Sequence, residues 1–234
     1  MHPTDKAARI AGAVYLSLVF FAPFSLIYIP STLIVRGDAT ATANKILTHE
    51  TLFRAGIVAD LISSVIFIFV ALALYRLLSG VNMAHAVTMV TLVAVSATIG
   101  FMNVLNNIAA LILFRGADFL AVLGKPQRDA LAMLFIRLHG QGTVTNEIFW
   151  GLWLFPFGVL VMRSGFLPRI LGILLIVNGF TYVIISLTTL LLPDYAAAVN
   201  RYAFIPEMGE FWIMLWLVIM GAKVRPYASI PIAS

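Results

Sequence analysis

The chain of 234 residues contains no cysteine. Disulfides, thiolate catalysis and cysteine-ligated metals are thereby excluded, as is attachment of a prenyl or palmitoyl chain to a thiol. Charge is scarce as well. Lys and Arg number 15 and Asp and Glu 10, so charged residues make up 11% of the chain, against about 25% in ordinary soluble domains. Hydrophobic residues, in contrast, reach 62%. So few charges cannot cover so much apolar surface, and lipid must face part of it. Strict apolar/polar alternation is absent too, which argues against a transmembrane β-barrel. What is present instead is a series of apolar runs of about 20 residues, the length that crosses a bilayer core as helix. The net charge of +5 is spread over segment ends and loops without a cluster or a binding motif, so nucleic acid is not an expected partner. The expected fold class is all-α: a polytopic integral membrane protein, one transmembrane domain over residues 1–234, with the lipid bilayer as its partner.

Six spans are expected, at about 10–29, 55–78, 86–114, 140–162, 170–192 and 204–222. A breaker or a charge ends each: Pro30, Ser79-Gly80, Arg115-Gly116, Ser164-Gly165, Pro193-Asp194 and Lys223. The run after Lys6 and Arg9 is longer than the roughly 7–15 residues of a signal-peptide core and has no small-x-small site after it. It reads as the first span.

Six spans place both termini on one side. Lys and Arg divide evenly, seven on the side of the termini and seven opposite, with Arg137 leading into the fourth span. The first group lies in very short connections, where the positive-inside rule has most force. Five acids, Asp38, Glu50, Asp118, Asp129 and Asp194, fall opposite. Both termini are therefore expected in the cytoplasm. Two outer connections promise short membrane-surface helices. Asp38 is a suitable N-cap for one. Pro126 suits the first turn of the other, which is expected to bend at Gly140-Gln141-Gly142 because paired glycines are a common cause of kinks.

The informative residues are the polar ones inside the spans, where ionisable groups are costly and face the bundle interior or a wet cavity. At 100° per residue, Thr143, Asn146, Trp150 and Glu147 fall within about 80° of His139 on one face of the fourth span. The third span places Asn103, Asn106 and Asn107 within about 100° of arc, with Ser96 and Gly100 on the same side. The second carries Asp60, preceded by Arg54; the fifth Asn178 and Tyr182; the sixth Glu207 and Glu210. In the six-span arrangement these groups share one layer in the outer half of the bilayer. We read Arg54, Asp60, Asn103, Asn107, His139, Asn146, Glu147, Glu207 and Glu210 as ligand-binding candidates, with no metal site and no cofactor assigned. Each has a plainer reading: transmembrane asparagines hold helices together, and acids favour helix N-termini.

At "AARIAGAVYL", "YIPSTLIVRGDATATANKIL" and "ETLFRAGIVADLI" the chain resembles the bacterial membrane-protein family called domain of unknown function 4386. Arg9-Ile10-Ala11-Gly12, Gly37-Asp38-Ala39 with Thr42 and Asn44, and Leu52-Phe53-Arg54 with Gly56 and Asp60 carry the likeness, clearest over residues 7–62. The resemblance implies a multi-pass protein of the bacterial cytoplasmic membrane. It implies no activity.

Three functions fit the residues. The first is a small-ligand or ion binding protein or carrier, with an intramembrane polar pocket open to the outer face. The second is a structural or accessory subunit whose polar layer only joins helices. The third is a metal-dependent hydrolase acting on lipid, although no paired-histidine or serine-nucleophile motif accompanies His139.

Overall fold

The structure, a computed structural model, describes residues 3–222. Its helices follow in order as α1 (Pro3–Pro23), α2 (Ile29–Leu33), α3 (Ala39–Thr48), α4 (Glu50–Leu78), α5 (Met83–Arg115), α6 (Lys125–Arg163), α7 (Arg169–Leu191) and α8 (Pro193–Ile219). No strand occurs among the described residues.

Five segments are long and apolar enough to cross a membrane, Pro3–Leu33 and α4 to α7. The expected sixth is a bent pair, Pro193–Ala203 and Ile205–Ile219, at 42° to one another. Pro206 follows the break and explains it: proline has no N–H to donate to the preceding turn, and its ring crowds the carbonyl four residues back. The span expected from residue 204 thus begins where the second segment begins. Lys223, the expected border beyond it, lies outside the described residues. Proline also shapes the first span. Between α1 and α2 the chain makes a π-helical turn, Phe24–Tyr28, the wider winding that accommodates Pro30 against the carbonyl of Leu26.

In the fourth span the structure corrects the expected bend. α6 runs unbroken for 39 residues, about 58 Å at 1.5 Å per residue, against a hydrocarbon core of about 30 Å. It therefore projects well beyond the core. Gly142 serves close approach and not flexibility: the Asn103 side chain of α5 fills the space a Cβ would occupy there. Asn103 Nδ2 donates to the His139 carbonyl at 2.8 Å and to Thr143 Oγ1 at 3.3 Å. Of the two helices expected in the loops, α3 is present, capped by Asp38 accepting from the Ala41 N–H at 2.8 Å. The second loop retains only a short turn, Asp118–Leu120, because residues from Lys125 onward belong to α6.

The five membrane-length segments and α8 form a closed ring. Each of α4 to α8 packs on its neighbour in sequence, and α1 touches both α4 and α8. Packing is close where glycines meet. A Cβ on Gly151 would lie 2.5 Å from the carbonyl oxygen of Gly179, and one on Gly158 would lie 2.7 Å from that of Gly172. Small residues let helix backbones approach in this way where water supplies no hydrophobic drive. Two apolar cores fill the ring. One, around Tyr15, Leu74, Trp153, Phe157 and Leu217, lies toward the termini. The other, around Leu33, Phe53, Val104 and Ile136, lies at the far end beneath α3. The cavity described next lies between them.

Candidate functional site

Between the two cores the ring encloses a cavity of about 570 Å³. Its walls come from the second half of α1 and the π-turn, the first half of α4, the middle of α5 and α6, Tyr182 of α7 and the proximal turns of the Ile205–Ile219 segment. They are mostly apolar, with a few polar groups set into them.

The first polar group joins α4 to α6. Asp60 Oδ2 lies 3.3 Å from His139 Nε2, with side chains 14% and 15% exposed. Both line the cavity. Histidine here meets a carboxylate 79 positions away in the chain, so only the ring brings them together. Beside them Ser64 Oγ donates to the Asp60 carbonyl at 3.1 Å, and Ser63 Oγ is buried without a hydrogen-bond partner.

The second group joins α1, α7 and α8 around Glu210. Tyr15 donates its hydroxyl to Glu210 Oε1, Asn178 Nδ2 donates to Oε2 at 3.3 Å, and Tyr182 stands beside this carboxylate. Asn178 donates to the Glu207 carbonyl as well, at 3.2 Å. Glu207, one turn earlier, lines the cavity in the first turn after the α8 break, where the helix dipole favours an anion. Aromatic rings floor the space: Trp153 stands edge-on to Tyr15 at 5.8 Å and to Phe67 at 5.1 Å, and Trp150 edge-on to Tyr182 at 6.0 Å.

A third set of polar side chains is spent on helix pairing. Ser96 Oγ donates to Asn146 Oδ1 at 2.9 Å, and Asn146 Nδ2 returns a bond to the Ser96 carbonyl at 3.1 Å. Asn103, besides its bonds to α6, accepts from Asn106 at 3.1 Å. Asn103 and Asn146 border the cavity but have their partners already.

Of the nine sequence candidates, Asp60, Asn103, His139, Asn146, Glu207 and Glu210 line the cavity. Three do not. Arg54 pairs with Glu50 at 2.7 Å, which Arg115 also approaches at 3.5 Å, and it lies on an outer groove with Phe20 and Phe24. Asn107 is buried deeper in α5, away from the cavity. Glu147 sits behind the lining, electrostatically coupled to Glu207 and Tyr182, with Oε2 buried and without a hydrogen-bond partner. Sequence reasoning passed over Tyr15, an ordinary aromatic in an apolar run. Nothing near it in the chain announces that its hydroxyl meets Glu210.

The profile of the family described as "Domain of unknown function (DUF4386)" matches residues 10–221. The chain belongs to the DUF4386 family. That match reaches into every helix of the ring and covers each residue named above as lining the cavity. The DUF4386 chain is also 38% identical over 84 residues to an uncharacterized protein of Archaeoglobus fulgidus, a stretch of 36% of this chain and 49% of that one. It thus spans about half the length of the curated relative it matches. No solved structure matches.

Proposed function

We propose that this DUF4386 protein binds a small ligand within the bilayer, in the cavity between its two apolar cores, as a binding protein or carrier of the prokaryotic cytoplasmic membrane. One observation carries the reading: a cavity of about 570 Å³ inside the helical ring, onto which α4, α6 and α8 direct Asp60, His139, Glu207 and Glu210. Polar groups in hydrocarbon are costly, and helix glue is spent on its own partners, as Ser96 and Asn146 are on each other. Both termini are taken as cytoplasmic, so the cavity belongs to the outer half of the membrane. The two interrupted helices beside it, at the π-turn and at Pro206, resemble the broken helices that line substrate sites in transporters. A metal-dependent hydrolase has no comparable support, since among the described residues no three His, Asp or Glu side chains gather as a metal-binding group.

The test exploits the absence of cysteine. In bilayer nanodiscs, Thr143→Cys, on the cavity wall, should react with a small charged methanethiosulfonate. Val177→Cys, exposed on the outside of α7, should stay inert because lipid suppresses the thiolate. Equal inertness of both would mean a closed scaffold and would overturn the reading.

A further inference from the structure

We propose that the ligand is an amphiphilic organic amine held as its ammonium ion, an inference that rests on the binding role proposed above. The cavity wall contains three carboxylates, Asp60, Glu207 and Glu210, one histidine, and no lysine or arginine. His139 is matched to Asp60, and Glu210 is met by neutral donors only. Glu207 forms no ion pair among the described residues. A carboxylate at this depth requires compensation, by a proton or by a cation from outside the chain.

The imbalance extends to hydrogen bonding. Around the Glu207–Glu210 turn, Asn178 Oδ1 and Glu147 Oε2 are buried acceptors without a donor. Buried acceptors are normally satisfied, so this end of the bundle has a surplus of oxygen and a shortage of N–H. Neither atom lines the cavity, so an ammonium group there answers the lining carboxylates of Glu207 and Glu210, to which it brings positive charge and several donors. An anion would find no free positive group here.

The remaining walls define the rest of the molecule. Trp150, Trp153 and Tyr182 offer ring faces and edges beside the acids, and a cation over such a ring gains a further electrostatic attraction. The mostly apolar lining suits a hydrocarbon or aromatic body. A bare inorganic divalent ion fits poorly, because it requires several oxygen ligands converging at one point, and none converge among the described residues. Entry is open to an amphiphile: Ile27, in the π-turn, lines the cavity and is 66% exposed.

Calorimetric titration of the full chain in nanodiscs, with empty discs as the blank, separates the possibilities. Three probes of matched size serve: phenethylamine, phenethyl alcohol and hydrocinnamate. The amine should bind saturably, about tenfold or more tighter than the alcohol, as expected for one charge-assisted hydrogen bond. Hydrocinnamate should show no saturable binding. Glu207→Gln should weaken the amine by about tenfold and leave the alcohol unchanged, and Glu207→Asp should restore much of the loss. If the alcohol or the carboxylate binds as well as the amine, or Glu207→Gln is without effect, the ammonium assignment is wrong and the cavity role stands. If no probe binds while Thr143→Cys remains reactive, the ammonium assignment alone falls. If no probe binds and that cysteine is also inert, both fall.

Discussion

Two glycines of one helix should respond to alanine with opposite signs. Gly140 and Gly158 both lie inside α6. A Cβ added at Gly140 meets nothing within 4 Å, whereas one at Gly158 meets the Gly172 carbonyl oxygen and Ile176 Cγ1, each at 2.7 Å, where ordinary contact begins near 3.4 Å. Glycine in a helix interior costs about 0.5–1 kcal/mol relative to alanine. Gly140→Ala should therefore stabilise by about that amount. Gly158→Ala gains the same propensity but must push a backbone carbonyl away, and the helix that carries it is pinned by a second glycine contact at Gly151. Overpacking of this kind costs about 1–3 kcal/mol, so a net loss of about 1–2 kcal/mol is expected. Unfolding in mixed micelles by titration with dodecyl sulfate, followed by far-ultraviolet circular dichroism, resolves such differences. A Gly158→Ala chain as stable as the parent would refute the close α6–α7 packing. Destabilisation by Gly140→Ala would mean that α6 does bend there.

Three further outcomes are expected. A double-mutant cycle of Ser96→Ala and Asn146→Ala, measured by the same unfolding titration, should give a coupling of about 0.6–1.7 kcal/mol, the range for hydrogen bonds between membrane helices; additive effects would mean the pair is not made. Ser64→Cys with Gly100→Cys should oxidise to a disulfide, detected by protease fragments that stay joined until reduced, because the Ser64 Cβ lies 3.8 Å from a Cβ built on Gly100 and disulfides average about 3.8 Å. For orientation, a membrane-impermeant maleimide applied to intact spheroplasts should label Asp118→Cys at once and Ser164→Cys only after permeabilisation; the reverse pattern would invert the assigned topology.

Much of the fold was legible because lipid imposes simple requirements. A helix that crosses hydrocarbon needs about 20 apolar residues, so five spans could be placed, while the sixth expected span falls on the second half of a bent helix that breaks near residue 204. Asp38 announced its helix because a cap acts within one turn of itself. Gly140-Gln141-Gly142 was misread because glycine signals both a bend and a close approach, and only Asn103, a residue of another helix, decides between them. A usable clue was passed over: Gly151 and Gly158, and Gly172 and Gly179, share a spacing of seven residues, which places each pair on one helix face ready to meet the other.

The candidate site was legible as a layer and not as a set of partners. Helical phase put His139, Asn146 and Trp150 on one face, and that face does reach the cavity. Glu147, at the edge of the same arc, falls behind it. Glu50 stands four residues before Arg54, the spacing of a helical ion pair, so the surface pairing of Arg54 could have been read directly. The partners of Asp60 and Glu210 could not, since they depend on how α4 meets α6 and how α1 closes the ring on α8.

The meeting of Asp60 with His139 tests the convergence of separate helices on one intramembrane cavity most directly. The chain has only four histidines, so the side-chain nitrogen signals of histidine-labelled protein in bilayers can be assigned by solid-state nuclear magnetic resonance, using His139→Gln. Asp60→Asn should shift the His139 signals, and Glu50→Gln, at the surface pairing with Arg54, should leave them in place. His139 signals unmoved by Asp60→Asn would contradict the account.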